Sequence, residues 1–197
     1  MQNRIENLGI RLQPFNRLTF PVVLNQIETA RLDQYFRVKI IENPAQLRQF
    51  IKANEKGLLL YSFMTPQLPQ ILKEISWINR NRKPSVKTLA GGPHTTGDPE
   101  SSLKMGFDYA FNGAAEMGFG SFIQNYLEGK LPPAPTIFRT ADIDQLDRSL
   151  PISRLLVTSP PLEITRGCYW NCRFCQTSCQ KAKHRSLDSV KIYYQEL

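Results

Sequence analysis

Three cysteines lie close together near the end of the chain, at Cys168, Cys172 and Cys175. Their spacing is C-x3-C-x2-C, and the aromatic residue Phe174 directly precedes the last of them. Three thiolates on one loop can hold three corners of a cubane 4Fe-4S cluster and leave the fourth iron without a protein ligand. An open iron can bind a small molecule and deliver an electron to it, whereas a cluster with four cysteine ligands mainly carries electrons.

This spacing, with its aromatic residue, resembles that of the radical SAM superfamily. The resemblance implies that S-adenosylmethionine binds the open iron through its amino and carboxylate groups, and it places Phe174 among the cofactor-binding residues. The reduced cluster then cleaves the sulfonium and releases a 5'-deoxyadenosyl radical, which abstracts hydrogen from a substrate. An electron donor for the cluster is therefore an expected partner.

Other uses of the cysteines fit the sequence less well. A structural zinc site usually needs two ligand pairs, and nothing upstream of Cys168 supplies a second pair. A disulfide framework would not crowd every cysteine into one segment of a chain without a secretory signal. Cys179 could close the cluster, but the bacterial ferredoxin run has a shorter first gap and a proline after its last cysteine, where this chain has Gln180. We predict that Cys179 is not a ligand.

The composition indicates a soluble, cytoplasmic, globular protein. The 197 residues are 41% hydrophobic and 21% charged, which is enough for one sizeable core and part of a second. No apolar run approaches membrane-spanning length, and the longest candidate, residues 57–63, predicts a buried strand. The formal net charge of +8 is compatible with a nucleic acid or an anionic substrate, but also with a solvated basic surface. Charge alone therefore identifies no partner, and the small-molecule substrate stays unknown.

The first part of the chain alternates strand and helix patterns. This alternation predicts an α/β fold with a five-stranded, parallel, doubly wound sheet of the Rossmann-like type. The predicted strands lie at residues 5–12, 37–41, 58–63, 86–90 and 109–111. Ligands of such sheets bind beyond the carboxyl ends of the strands.

The loops at those ends, residues 61–66, 91–94 and 113–116, resemble the cobalamin-binding domains that precede many radical SAM barrels. In that family a serine after the third strand and a Gly-Gly pair after the fourth line the groove for the nucleotide tail of the cofactor. The resemblance implies the following cofactor-binding residues: Ser62, Thr65, Gly91, Gly92, His94, Gly113 and Glu116. The family sequence Gly-Glu-Gly-Glu after the fifth strand is Gly-Ala-Ala-Glu here.

Many cobalamin carriers also have an Asp-x-His-x-x-Gly loop whose imidazole binds cobalt, but residues 13–18 contain no histidine. The resemblance therefore implies a cobalt without that protein ligand. Each residue also has a purely structural interpretation. Gly91 and Gly92 would make a tight strand exit, Ser62 would cap the next helix, and His94 would be a hydrogen-bonded loop histidine.

The sequence divides into three parts. Residues 1–128 form the predicted cobalamin-binding-like domain, and residues 129–160 form a proline-rich linker with one short strand candidate at 136–139. Residues 161–197 begin the predicted radical SAM domain, with residues 162–165 as the first strand of its TIM-type barrel and residues 188–197 as the start of the next helix. Because the barrel needs several more strand-helix units, we expect an incomplete chain that is not active alone.

The leading functional prediction is a radical SAM enzyme with an N-terminal cobalamin domain, acting in methyl transfer or rearrangement. One alternative is a radical SAM enzyme whose first domain no longer binds cobalamin, such as the methylthiotransferases that modify transfer RNA. Those enzymes carry a second cysteine set in the N-terminal domain, which is missing here. The other alternative is a non-catalytic cofactor-binding module.

Overall fold

A six-stranded parallel sheet forms the centre of the protein in the computed structural model, which describes residues 5–156, 162–170 and 172–196. The strand order is β2-β1-β3-β4-β5-β6, so the chain reverses its direction of winding between β1 and β3. The strands are β1 (Glu6–Arg11), β2 (Phe36–Ile41), β3 (Gly57–Ser62), β4 (Val86–Gly91), β5 (Tyr109–Asn112) and β6 (Thr136–Arg139).

Helices connect these strands and cover both faces of the sheet. They are α1 (Thr19–Thr29), α2 (Pro44–Ala53), α3 (Leu68–Asn81), α4 (Pro93–Gly97), α5 (Pro99–Lys104) and α6 (Phe119–Leu127). Helix α2 begins where the side chain of Asn43 accepts a hydrogen bond from the Gln46 amide, with Pro44 in the first turn. This alternation of strands and helices confirms the predicted α/β class.

Alternating strand residues build two apolar cores. On β3, Leu58 and Leu60 pack on the side of α1 and α6, whereas Leu59 and Tyr61 pack on the side of α2 and α3. This is the period of two that a strand imposes on its side chains, here with both faces covered. The carboxyl ends of the strands are left as the edge where loops from both layers meet.

The prediction of five strands was wrong, because residues 136–139 form a sixth. Strand β6 pairs in parallel with β5, and Phe138 packs edge-to-face on Phe122 with ring centroids 4.8 Å apart. Residues 136–139 follow a proline-rich stretch, and four residues are too few for alternation of apolar and polar residues to place them in the sheet. Their place depends on the aromatic cluster that they join.

The segment after β6 runs along α1. The Glu28 carboxylate accepts hydrogen bonds from the backbone amides of Arg154 and Leu155 at 2.8 and 3.1 Å, and Asn25 donates to the Ile152 carbonyl at 2.9 Å. Residues 149–155 are therefore tied to the helix that covers one face of the sheet.

The remaining described residues form a short hairpin and a helix. Strand β7 (Thr165–Arg166) pairs antiparallel with β8 (Lys183–His184), and α7 (Leu187–Glu196) follows. The structure does not show the predicted first barrel strand at residues 162–165: only Thr165 lies in a strand, and that strand pairs with β8 in the hairpin. Residue 161 lies outside the described ranges. None of the helices within those ranges is both long and apolar enough to span a bilayer.

Candidate functional site

A cavity of about 390 Å³ opens at the carboxyl ends of β3, β4 and β5. Its apolar wall is formed by residues of the sheet and of the two helices on that face, α1 and α6. The walls are formed by Leu18, Thr19, Phe20, Val22, Val23, Leu60, Ser62, Leu89, Gly91, Gly92, Phe111, Gly113, Ala114, Ala115, Glu116 and Phe119. Its size lies in the range of small-molecule and cofactor sites, which are also largely apolar with a few polar groups.

The two glycines at the end of β4, Gly91 and Gly92, have different roles. Gly92 has φ 87°, and a Cβ placed there would lie 2.6 Å from Ser62 Oγ and 2.8 Å from the Phe63 amide nitrogen. A side chain is therefore excluded at Gly92 by the backbone turn itself. Among the residues that the structure describes, a Cβ on Gly91 would meet only the Tyr61 carbonyl oxygen, at 3.6 Å. The space beside Gly91 belongs to the cavity.

His94 and Thr65, also predicted to bind a cofactor, lie outside the cavity lining. His94 is buried beside Phe63, its Nδ1 lies 3.1 Å from Thr65 Oγ1, and its Nε2 lies 3.3 Å from Ser101 Oγ. Both ring nitrogens therefore have hydroxyl partners. These contacts agree with the structural interpretation of His94 as a hydrogen-bonded loop histidine.

Asn16 occupies the loop where many carriers have a histidine. Its amide nitrogen donates to the carbonyl oxygens of Arg11 and Ser62 at 3.0 and 2.9 Å, and its carbonyl accepts from the Gln13 amide. Asn16 thus joins the ends of β1 and β3 beneath the cavity. The chain has two histidines, and neither is among the residues that line the cavity.

Glu116 connects the cavity to the cysteine segment. Its carboxylate is buried, at 4% exposure, and accepts a hydrogen bond from Arg166 Nη1 at 2.7 Å. Arg166 also donates from Nε and Nη2 to the two carboxylate oxygens of Glu163, at 2.7 and 3.0 Å. Burial alone would lower the pKa of the Arg166 guanidinium, but these hydrogen bonds and the charges of Glu163 and Glu116 raise it overall. Arg166 is therefore a fixed positive charge between two carboxylates.

The cysteine loop, which is the segment between β7 and β8, is closed at its base by a backbone hydrogen bond. The Cys168 amide donates to the Gln180 carbonyl at 3.0 Å. Gly167 has φ 90°, and a Cβ there would lie 2.6 Å from the Lys181 carbonyl oxygen, so this closure depends on glycine. Gln176 then donates to the Pro93 carbonyl at 2.9 Å. Glu163, Arg166, Gln176, Thr177 and Gln180 complete the cavity from this side.

The three predicted metal ligands lie on this loop, and their side chains are half-buried. Among the described residues, no three His, Cys, Asp or Glu side chains are arranged to hold a metal ion. The cysteines have the donor chemistry of an iron-sulfur site, but the described geometry does not fit one without rearrangement. Phe174 is 93% exposed and does not line the cavity. We predict that Cys179 is not a ligand, but its side chain lies outside the described part of the structure.

Comparison with known proteins identifies a domain family that matches this part of the chain. The sequence profile of the B12-binding domain matches residues 15–122, more than half of the chain. The chain belongs to the B12-binding domain family. The matched range begins before α1 and ends within α6, so it includes all of α1, the first turn of α6 and the strand ends between them.

Two further comparisons complete these findings. The N-terminal domain of a hypothetical protein of Thermotoga maritima is 28% identical, with 61% of this chain and 88% of that chain covered and a TM-score of 0.41. No curated protein matches the chain.

The structure brings five of the predicted site residues together and adds others that the sequence did not indicate. Ser62, Gly91, Gly92, Gly113 and Glu116 all line the one cavity. The apolar wall was missed because its residues follow the same spacing as ordinary core residues. Arg166 was missed because nothing in a sequence links it to Glu116, which lies 50 positions earlier.

Proposed function

We propose that this chain binds cobalamin, with the nucleotide tail of the cofactor in the cavity at the carboxyl edge of the sheet. The observation that carries the proposal is the match to the B12-binding domain over residues 15–122, together with a cavity at that edge lined by Ser62, Gly91 and Glu116. A ligand with an aromatic base and a polar tail suits an apolar wall that ends in a few polar groups.

The residues that line the cavity would have different roles in binding. Gly91 leaves room for the ligand to approach the backbone, and the apolar side chains of Leu60, Leu89 and Phe119 exclude water from the cavity. Ser62 and Glu116 are polar groups of the sheet side of the cavity that would orient the ligand. Cobalamin, when bound, would supply a cobalt that relays a methyl group or assists a rearrangement. His94 would not bind cobalt, because both its nitrogens have hydroxyl partners.

We further propose that the chain is the cobalamin-binding part of a cytoplasmic radical SAM enzyme, which uses S-adenosylmethionine and an electron donor. This proposal rests on the C-x3-C-x2-C spacing of Cys168, Cys172 and Cys175. Because the described cysteines do not form a metal site as they stand, we derive no catalytic step through a cluster. The loop would have to rearrange to take one.

Two measurements test the two parts of the proposal. For cobalamin, we expect the EPR spectrum of the bound Co(II) form to lack nitrogen coupling from the protein in both wild type and His94→Ala. A nitrogen signature lost in His94→Ala would contradict the assignment, and absence of binding would favour a domain that no longer takes the cofactor.

For the cysteines, we expect anaerobic reconstitution with iron and sulfide to give a 4Fe-4S cluster, measured by iron and sulfide content and Mössbauer spectra. Cys179→Ala should retain the cluster and Cys172→Ala should lose it. Equal loss in the two variants would show that the cluster has four cysteine ligands, and the open-iron prediction would be wrong.

A further inference from the structure

One contact joins the wall of the cavity to the base of the cysteine loop. Glu116 follows β5 and lines the cavity, and Arg166 is the last residue of β7, two positions before Cys168. The ion pair between them is 2.7 Å long. The Glu116 side chain is 4% exposed, so this contact is protected from solvent far better than the surface ion pairs of the chain.

Arg166 contacts two carboxylates at once. Its guanidinium spans Glu116 in the cavity wall and Glu163 in the segment before β7. Arg185, directly after β8, also reaches Glu163, at 3.3 Å. A planar guanidinium can hold two carboxylates in fixed geometry, which a lysine ammonium does not do.

The loop beyond Arg166 covers the cavity. Gln176, Thr177 and Gln180 line it, and the hydrogen bond from Gln176 to the Pro93 carbonyl also joins the loop to the sheet domain. A ligand that fills the cavity must therefore meet the loop as well as the sheet.

We propose that Arg166 is a positioning residue that transmits the occupancy of the cavity to the cysteine loop through Glu116. This inference rests on the proposed cobalamin-binding function. A ligand in the cavity holds the Glu116 side of the pair in place, Arg166 then holds the base of the loop, and local opening of residues 164–185 becomes rarer. By linkage, any change that fixes the loop also strengthens binding in the cavity.

The test is hydrogen exchange of the loop with and without cyanocobalamin, measured by mass spectrometry at a ligand concentration that saturates each variant. Equilibrium dialysis of cyanocobalamin sets that concentration. The reporting amides are those of Cys168, Gln180 and Arg185, which donate to Gln180, Thr177 and Ile164. Saturation separates loss of coupling from loss of affinity, because Glu116 and Arg166 also line the cavity.

Two variants break the contact in different ways. Glu116→Gln removes the charge and keeps the size of the side chain, whereas Arg166→Lys keeps the charge and loses the bridge to both carboxylates. Glu100→Gln is the matched control, because it also removes a pair with an arginine, Arg139, at 2.9 Å, but at an exposed site away from the cavity lining. Far-UV circular dichroism checks that each variant folds. If Glu116→Gln does not fold, the comparison is made with Arg166→Lys alone.

We expect cyanocobalamin to slow exchange of residues 164–185 at least about fivefold in wild type and in Glu100→Gln, in the range of ordinary coupling between sites. In Glu116→Gln and Arg166→Lys the slowing should fall below about twofold. Equal slowing in all four proteins would overturn the inference and leave cobalamin binding intact. Failure of the wild type to retain cyanocobalamin in dialysis would overturn the proposed function, and the coupling with it.

Discussion

The sheet domain and the cysteine segment are held in place by different kinds of interaction. The sheet is enclosed by two apolar clusters whose members, such as Leu58 and Ile75, are fully buried. The segment after residue 161 is attached mainly through charged and polar contacts, with Arg166 and Arg185 as its two centres. Apolar burial stabilises a region as one cooperative unit. A few polar contacts hold one segment against another, and they can break locally without unfolding the rest.

Arg185 shows how the second kind of attachment works. Its side chain is 1% exposed and donates to the carbonyl oxygens of Glu163, Leu146 and Ser149 at 2.7, 2.6 and 2.8 Å. The guanidinium also lies over the ring of Tyr193 in α7, with Cζ 5.3 Å from the ring centroid. One side chain thus joins the hairpin, the segment after β6 and the last helix.

A cavity in the apolar core should have the largest effect on stability. Ile75→Ala removes a side chain with 0% exposure from α3, and we expect the free energy of unfolding to fall by about 3 kcal/mol. Leu72→Ala in the same helix, where the side chain is 43% exposed, should cost less than about 1 kcal/mol. Urea unfolding followed by circular dichroism measures both. Similar losses in the two variants would show that α3 does not bury the face described here.

Removal of the Arg185 side chain should release the cysteine segment and spare the sheet. Arg185→Ala leaves three carbonyl oxygens without this donor, and we expect local stability of residues 162–196 to fall by about 2 kcal/mol. Hydrogen exchange should become faster there and stay unchanged in β1–β5. Lys191→Ala removes an exposed pair and is the control. Faster exchange throughout the sheet would contradict the division into two regions.

Two glycines sharpen the same comparison, because each has a positive φ and each excludes a Cβ by close contact with backbone atoms. Gly92→Ala should lower the free energy of unfolding of the sheet domain by about 1–2 kcal/mol, since the Cβ would approach Phe63. Gly167→Ala should disturb only the closure of the loop on Lys181. Thermal unfolding with hydrogen exchange distinguishes them. A global effect of Gly167→Ala would show that the loop is part of the sheet's cooperative unit.

The smallest effect concerns acid stability. Burial would raise the pKa of Glu74, but hydrogen bonds from Arg11 and Tyr61 and the charge of Arg11 lower it overall from its ordinary value of 4.5. A carboxylate with a lowered pKa stabilises the fold above its unfolded-state pKa, and this contribution disappears as the pH falls through the folded-state value. We expect stability to fall more steeply in wild type than in Glu74→Gln as the pH drops below about 4.5. Parallel pH profiles of the two proteins would contradict this.

The sequence predicted the sheet domain well for a physical reason. Each of β1 to β5 has an apolar pattern or run that burial on one or both faces requires, and the loops at their ends share one edge because the strands are parallel. Strand β6 was misassigned to a linker, since four residues show little period and depend on contact with Phe122. The hairpin at Thr165–Arg166 was also missed, because two-residue strands leave almost no pattern.

The contacts between the two regions could not be predicted at all. Glu116 and Arg166 meet across 50 positions, and Gln176 donates to the carbonyl of Pro93, which lies 83 positions earlier. Charged residues at such separations look like ordinary surface residues in a sequence. Only the fold shows which of them are buried together.

The most direct test of the account is the binding of cyanocobalamin to wild type and Gly91→Val, measured by isothermal titration calorimetry. Within the described part of the chain, the Cβ at this position meets only the Tyr61 carbonyl oxygen, at 3.6 Å, so the added side chain extends into the cavity. We predict one-to-one binding to wild type, weakened at least about fivefold in Gly91→Val, with unchanged circular dichroism. No binding to wild type, or equal affinity in the two proteins, would contradict the claim that this cavity receives cobalamin.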